Sequence, residues 1–158
     1  QTLWDTALPP FEMGVKAGAA TVMSAFNDIS GVPASANRYT MTDILRGMWG
    51  FDGLVVSDWD AVKQLVAQGV AADRAEAAAK AITAGLDMDM VDDVYRENLE
   101  ALVESGRVPE KVLDEAVRRI LRVKFRLGLF EKPYIEELPD EQRYLSIEAR
   151  AAARELAA

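Results

Sequence analysis

Three short apolar runs recur along this chain at nearly constant spacing, and that spacing constrains the fold more than any other feature. They begin near Ala20, Leu54 and Leu86, steps of 34 and 32 residues, with helix-like sequence between them. Ala20–Phe26 (A-T-V-M-S-A-F) is bounded by turn formers and predicts a buried strand. Leu54-Val55-Val56 is almost purely apolar and ends at Ser57-Asp58, and the third run, Leu86–Met90, reads L-D-M-D-M. Continuous apolar strands alternating with helices predict a parallel sheet covered on both faces. A (β/α)8 barrel of about 250 residues averages roughly 31 residues per βα unit. The period therefore predicts α/β architecture with three consecutive parallel βα units. A small doubly wound sheet has the same pattern, and periodicity alone does not separate the two. Three strands do not close a barrel, and their outer edges would present unpaired backbone groups. Either segments outside the chain pair with those edges, or the chain self-associates.

The connecting sequence predicts helices with recognisable ends. Leu3, Leu8, Phe11 and Val15 recur at helical spacing over 2–17, with Pro9-Pro10 at an entry or kink and Gly18 as the stop. Residues 27–39 carry Asn27, Asp28, Ser30, Gly31, Pro33, Ser35 and Asn37, a loop composition. Thr40 with Asp43 predicts a capping box for a helix that Gly50 ends. A short helical stretch runs from Asp60 to about Gln68, with Asp60 as its expected cap. Asp73 with Glu76 opens an Ala-rich helix ending at Gly85, and residues 92–105 form another, stopped by Gly106. Pro109 fits the first turn of a long helix whose inner face is expected to carry Leu113, Val117, Ile120, Leu121, Phe125 and Leu127, up to Gly128. Segment 135–144 is polar and reads as a linker, and Ser146 opens a last helix. The expected division is 1–134 for the partial barrel and 135–158 for a linker and first helix leading toward a further α/β domain.

Composition narrows the chemistry. The 158 residues contain no cysteine and no histidine, and their formal net charge is −8. The missing cysteines exclude a disulfide framework, a thiolate nucleophile and cysteine-ligated metal. The missing histidines exclude Ser-His and Cys-His chemistry within this chain. An acidic balance argues against nucleic acid and anionic membrane surfaces as partners, and no apolar run reaches the ~20 residues of a membrane span. Gln1 comes first, with no basic and apolar leader after it, so no signal peptide is read in this segment and the compartment is unspecified. The chain is expected to be an internal piece of a longer polypeptide. Carboxylates must carry most of any chemistry.

Ligands of parallel α/β folds sit at the carboxyl ends of the strands. Those ends are Phe26-Asn27-Asp28, Ser57-Asp58-Trp59 and Asp87/Asp89-Met90. The second is the sharpest. A carboxylate at a strand tip can attack or stabilise an anomeric carbon, and the neighbouring indole can stack on a sugar ring. The competing readings are a capping or loop aspartate at Asp58 and ordinary rim packing at Trp59. Asn27 and Asp28 either cap their loop or edge the site. Asp87, Asp89, Asp92 and Asp93 invite a cation, but the spacing is not an EF-hand. Alternation along a strand, with Met88 and Met90 on one face and the aspartates on the other, accounts for them instead. No metal and no cofactor is expected.

The stretches T-V-M-S-A-F-N (21–27), G-V-P-A-S-A-N (31–37), T-D-I-L-R-G-M-W-G-F (42–51) and G-L-V-V-S-D-W (53–59) resemble glycoside hydrolase family 3, which includes β-glucosidases and β-xylosidases. A-G-L-D-M-D-M (84–90), R-R-I-L-R-V-K-F-R-L-G-L-F (118–130) and E-K-P-Y (131–134) continue the match in order. The resemblance implies the C-terminal part of a (β/α)8 barrel and a retaining, two-step hydrolysis of terminal β-linked sugars. It implies that Asp58 is the nucleophile and that Trp59 lines the sugar site. Phe26 falls where many members place a tyrosine near the sugar, and Met23 is expected in the core. The acid/base and a Lys-His sugar clamp lie outside this stretch in the family. The expected partners are therefore a β-linked glycoside and the missing barrel and acid/base segments, with self-association as the alternative.

Overall fold

The computed structural model describes residues 2–134 and 146–157 and forms two compact units, Gln1–Leu127 and Gly128–Ala158. In the first unit a π-helical turn, Leu3–Ala7, leads into α1 (Leu8–Lys16). Pro9 and Pro10 fall in its first turn, where a missing N–H leaves no helical bond unmade. The second unit contains α6 (Ile147–Leu156), and Ser146 Oγ accepts from Ala149 N as the expected cap. The linker expected at 135–144 lies outside the described residues.

Three strands, β1 (Thr21–Met23), β4 (Leu54–Trp59) and β5 (Met88–Met90), form one parallel sheet in the order β1-β4-β5. β1 pairs with β4 through Thr21↔Leu54, Val22↔Val55 and Met23↔Val56. Its ladder is closed by Leu54 N donating to Ala20 O and Ser24 N donating to Val56 O. Only glycine fits before β4. A Cβ on Gly53 would lie 2.1 Å from the Ala20 carbonyl oxygen.

Helices between and after the strands cover one face of this sheet. They are α2 (Ala61–Ala67), α3 (Arg74–Ala84), α4 (Val94–Glu104) and α5 (Glu110–Arg126), with a π-helical segment at Tyr39–Met48. Val55, Val62, Leu65, Leu86, Val94 and Val108 are almost fully buried there, around the alanine face Ala77, Ala78 and Ala81 of α3. Each such Val or Leu contributes about 1.5–3 kcal/mol relative to exposure. The small α3 face lets neighbouring elements approach closely. Among the described residues no helix is long and apolar enough to cross a membrane.

Several expectations change. The sheet is not covered on both faces: the face opposite the helices is open, with Met23 47% and Met88 46% exposed. Met23 is therefore exposed among the described residues and is not a core residue. Residues 27–39 are more ordered than a loop. Asp28–Ile29 (β2) and Val32–Pro33 (β3) form a hairpin. Its central Ser30 and Gly31 both have positive φ, as a type I′ turn requires. The Thr40–Asp43 capping box does not form; Thr40 N donates instead to Asn37 Oδ1 at 3.1 Å. Asp73 does open α3 as a cap, its Oδ1 accepting from Glu76 N, while Glu76 Oε2 accepts from Ala72 N, both at 2.7 Å.

α5 is also rotated from its expected face. Ala116 and Val123 are buried, whereas Val117, Leu121 and Phe125 are exposed. The reason is polar. Arg119, three residues after Ala116, reaches the buried Asp87. Arg122 donates to Asp52 O and Arg126 binds the Asp52 carboxylate. Apolar periodicity alone does not register a helix docked by guanidinium groups.

Candidate active site

β4 and β5 do not pair evenly. Val56 lies opposite Met88 and Trp59 opposite Met90, so β4 carries one extra residue between those points. This bulge contains Ser57 and Asp58. A bulge re-aims a side chain at the end of a strand, and it leaves one ladder donor to be satisfied. Ser57 does so. Its hydroxyl, fully buried, accepts from Met90 N and donates to Asp58 O, both at 2.8 Å. Asp60 N then donates to Met90 O at 3.2 Å, restoring the link between the strands.

Asp58 therefore stands at the carboxyl edge of the sheet, on a backbone held on both sides. Its side chain is half-buried. Oδ1 accepts from Trp59 N at 2.7 Å, and Oδ2 makes no hydrogen bond among the described residues. Trp59, the last residue of β4, is 59% exposed. Phe26 follows β1 at the same edge and is 41% exposed. Its carbonyl accepts from Gln68 Nε2 at 3.4 Å, tying that turn to the end of α2. An ionisable oxygen without a partner, beside an exposed indole, can bind an apolar sugar face and reach its anomeric carbon.

The neighbouring aspartates have other tasks. Asp60 occupies the first position before α2 in a left-handed conformation (φ 56°), but its side chain caps nothing and lies 3.7 Å from Lys63 Nζ. The expected cap at Asp60 is supplied instead by Asp92, whose Oδ2 accepts from Lys63 N at 2.8 Å. Asp89 Oδ2 accepts from Tyr95 N in the first turn of α4. Asp93 pairs with Arg96, and Asp28 Oδ1 accepts from Gly31 N, closing the hairpin. Burial raises the Asp92 carboxyl above its ordinary value, and the neighbouring Asp89 carboxylate adds to the rise. Burial likewise drives the Tyr95 phenol well up, and its hydroxyl donates to Leu86 O at 2.8 Å. Among the described residues no three acidic side chains gather as a metal site needs.

At the opposite, amino end of the sheet, Asp87 is buried and saturated. Arg46 binds Oδ2 at 2.6 Å, Val55 N donates to Oδ2 at 2.8 Å, and Arg119 binds Oδ1 at 2.7 Å. Burial pushes this carboxyl up, opposed first by Arg46, then by the Val55 N–H and Arg119. An apolar hollow of about 290 Å³ between α1 and β1, lined by Leu8, Phe11, Val22, Met23, Met41 and Trp49, includes neither Asp58 nor Trp59.

The fold is thus a partial parallel α/β barrel with a carboxylate and an indole at its carboxyl edge. The comparisons give the particular family. Residues 1–123 match the glycosyl hydrolase family 3 N-terminal domain. The chain is 40% identical over 162 residues to a periplasmic β-glucosidase of Salmonella typhimurium, covering 99% of this chain and 21% of that protein. It is 41% identical over 138 residues to a putative β-xylosidase of Formosa agariphila, covering 86% of this chain and 18% of that protein. A β-glucosidase from Listeria innocua, solved in complex with glucose, superimposes with a TM-score of 0.92 at 41% identity, over 98% of this chain and 21% of that one. The same Listeria enzyme, as a variant with one aspartate changed to alanine, is solved with laminaribiose and superimposes with a TM-score of 0.90 at 40% identity, over 94% of this chain and 21% of that one. The chain belongs to glycosyl hydrolase family 3, and it spans about a fifth of the length of these relatives. The fold question left open by periodicity is thereby answered: the sheet is part of a barrel, not a doubly wound domain.

Proposed function

We propose that the full-length protein is a retaining, exo-acting β-glycosidase, β-glucosidase-like, in which this chain supplies the nucleophile. The observation that carries this reading is Asp58 on the β4 bulge, with one carboxylate oxygen unpartnered among the described residues and Trp59 exposed beside it. In the first step an Asp58 oxygen bonds to the anomeric carbon as the glycosidic C–O bond breaks. The leaving oxygen takes a proton from an acid outside this chain. In the second step water, deprotonated by the same group, attacks the anomeric carbon and releases Asp58. Trp59 stacks on the sugar, and Phe26 contacts it without a hydroxyl to offer. Retaining hydrolysis needs a second carboxyl group about 5–5.5 Å away. Asp60 is committed to Lys63, Asp89 to α4 and Asp92 to α2, so the acid/base is assigned to no residue here and the isolated chain is inactive.

The second reading is an assembly fragment that self-associates without catalysis. The open face carrying Met23 and Met88 favours it, together with β1 and β5 as edge strands. An aryl β-glucoside separates the two. The isolated chain is expected to show no turnover, and turnover is expected when the remaining barrel and acid/base segments are present. Full activity of the complete protein after Asp58→Ala contradicts the nucleophile assignment.

A further inference from the structure

The helix that follows Asp58 is capped from the neighbouring strand. α2 begins two residues after Trp59, and its own leading residue, Asp60, makes no cap. Lys63 N, the third amide of α2, donates to Asp92 Oδ2 from the β5–α4 junction. Asp92 is 6% exposed, and its carbonyl is gripped by Arg74 at 2.5 Å. Asp89 from the same strand tip accepts from Tyr95 N of α4, and the Val94 N–H at the start of that helix also favours the ionised Asp92 carboxyl. The β5 tip thus holds the nucleophile segment at three points. Met90 N holds Ser57 Oγ before Asp58, Met90 O holds Asp60 N after it, and Asp92 holds the first turn of α2.

We propose that Asp92 is a positioning residue for Asp58, fixing the Trp59–Asp60 turn by capping α2 across the strands. This rests on the reading of Asp58 as nucleophile. Asp58 Oδ1 is bound by Trp59 N, so any rotation of the Trp59 peptide moves the carboxylate. A nucleophile displaced by about 1 Å can lose on the order of 10²-fold in rate. The fit has one further detail. Asp92 Oδ1 is buried without a hydrogen-bond donor and faces the acidic side of Asp89. An asparagine would keep the oxygen for Lys63 N and turn an amide donor toward Asp89.

The test uses Asp92→Ala and Asp92→Asn in the full-length protein, both for kinetics and for hydrogen exchange. Asp92→Ala is expected to lower kcat by roughly tenfold to a hundredfold with KM little changed, and to speed exchange at the Lys63 amide about fivefold, the usual consequence of a lost cap. Asp92→Asn is expected to retain wild-type values of both. If Asp92→Ala fails to melt cooperatively, Asp92→Ser, which shortens the side chain but keeps it polar, replaces it. Faster exchange with unchanged kcat leaves a cap without a positioning role and overturns the proposal. So does unchanged exchange, or an asparagine variant as impaired as the alanine. Asp58→Ala is measured alongside. If it retains turnover, the nucleophile reading fails whatever Asp92 does. If it is inactive while Asp92→Ala is normal, only the positioning role fails.

Discussion

Asp87 and Asp58 belong to the same pair of strands, at opposite ends, and their surroundings are opposites. Asp87 is buried and receives two arginine side chains and one backbone N–H. It joins β4, β5, the π-helical segment and α5, and no oxygen is left for a ligand. Asp58 is half-buried, receives one N–H from its own neighbour, and faces out beside Trp59. A saturated carboxylate stabilises a fold, and an undersaturated one is available for chemistry. The amino end of the sheet holds its strands in register while the carboxyl end leaves a carboxylate half-exposed.

Exchanging the two roles by mutation is the strongest way to break this comparison. Asp58→Ala in the full-length protein is expected to reduce turnover of an aryl β-glucoside by roughly 10⁴-fold or more, while the melting temperature stays near wild type. Asp87→Ala is expected to cost about 3–5 kcal/mol in denaturant unfolding, because Arg46 and Arg119 would be left as uncompensated, largely buried cations. An Asp87→Ala protein of normal stability would show that the triad is not what joins the strands. Trp59→Ala sharpens the contrast at the open end: KM is expected to rise about tenfold, near 1.4 kcal/mol of aromatic contact, with stability unaffected.

The smallest effect concerns pH. Asp92 is raised above its ordinary carboxyl value by burial first and by Asp89 second. Between those two values the folded chain holds a proton that the unfolded chain has lost, so this group makes stability fall as pH rises through that window. Asp92→Asn removes the titration. The variant's melting temperature is expected to gain on wild type as pH rises from about 4 toward neutrality. A constant difference would mean that Asp92 titrates normally.

The sequence made the proposed nucleophile legible and hid its support. Asp58 and Trp59 directly follow an apolar run, so their place at a strand tip follows from local pattern alone. Ser57 looked like the end of a strand, yet its hydroxyl replaces a ladder partner at a bulge, and bulges depend on the register of two strands 32 residues apart. Asp92 lay within an acidic stretch that suggested a cation, whereas it caps a helix that starts 31 residues earlier in the chain. The α5 face was misjudged for the same reason. Arg119 and Arg126 orient that helix through Asp87 and Asp52, partners that a period in hydrophobicity does not reveal. The signal that could have found them is an arginine stripe sharing one helix face with Ala116 and Val123. Local pattern located the strands, the tip residues and the caps at Asp73 and Ser146; long-range polar pairs set how they are held.

The central claim is that Asp58 forms the covalent bond to the sugar. The most direct measurement is to treat the full-length protein with a 2-fluoro-glucoside that forms the glycosyl-enzyme faster than it is hydrolysed, then to map the label by peptide mass spectrometry. The account predicts one sugar per chain on the peptide containing Ser57-Asp58-Trp59, and no label after Asp58→Ala. A sugar attached to any other residue, or labelling that survives Asp58→Ala, would contradict it.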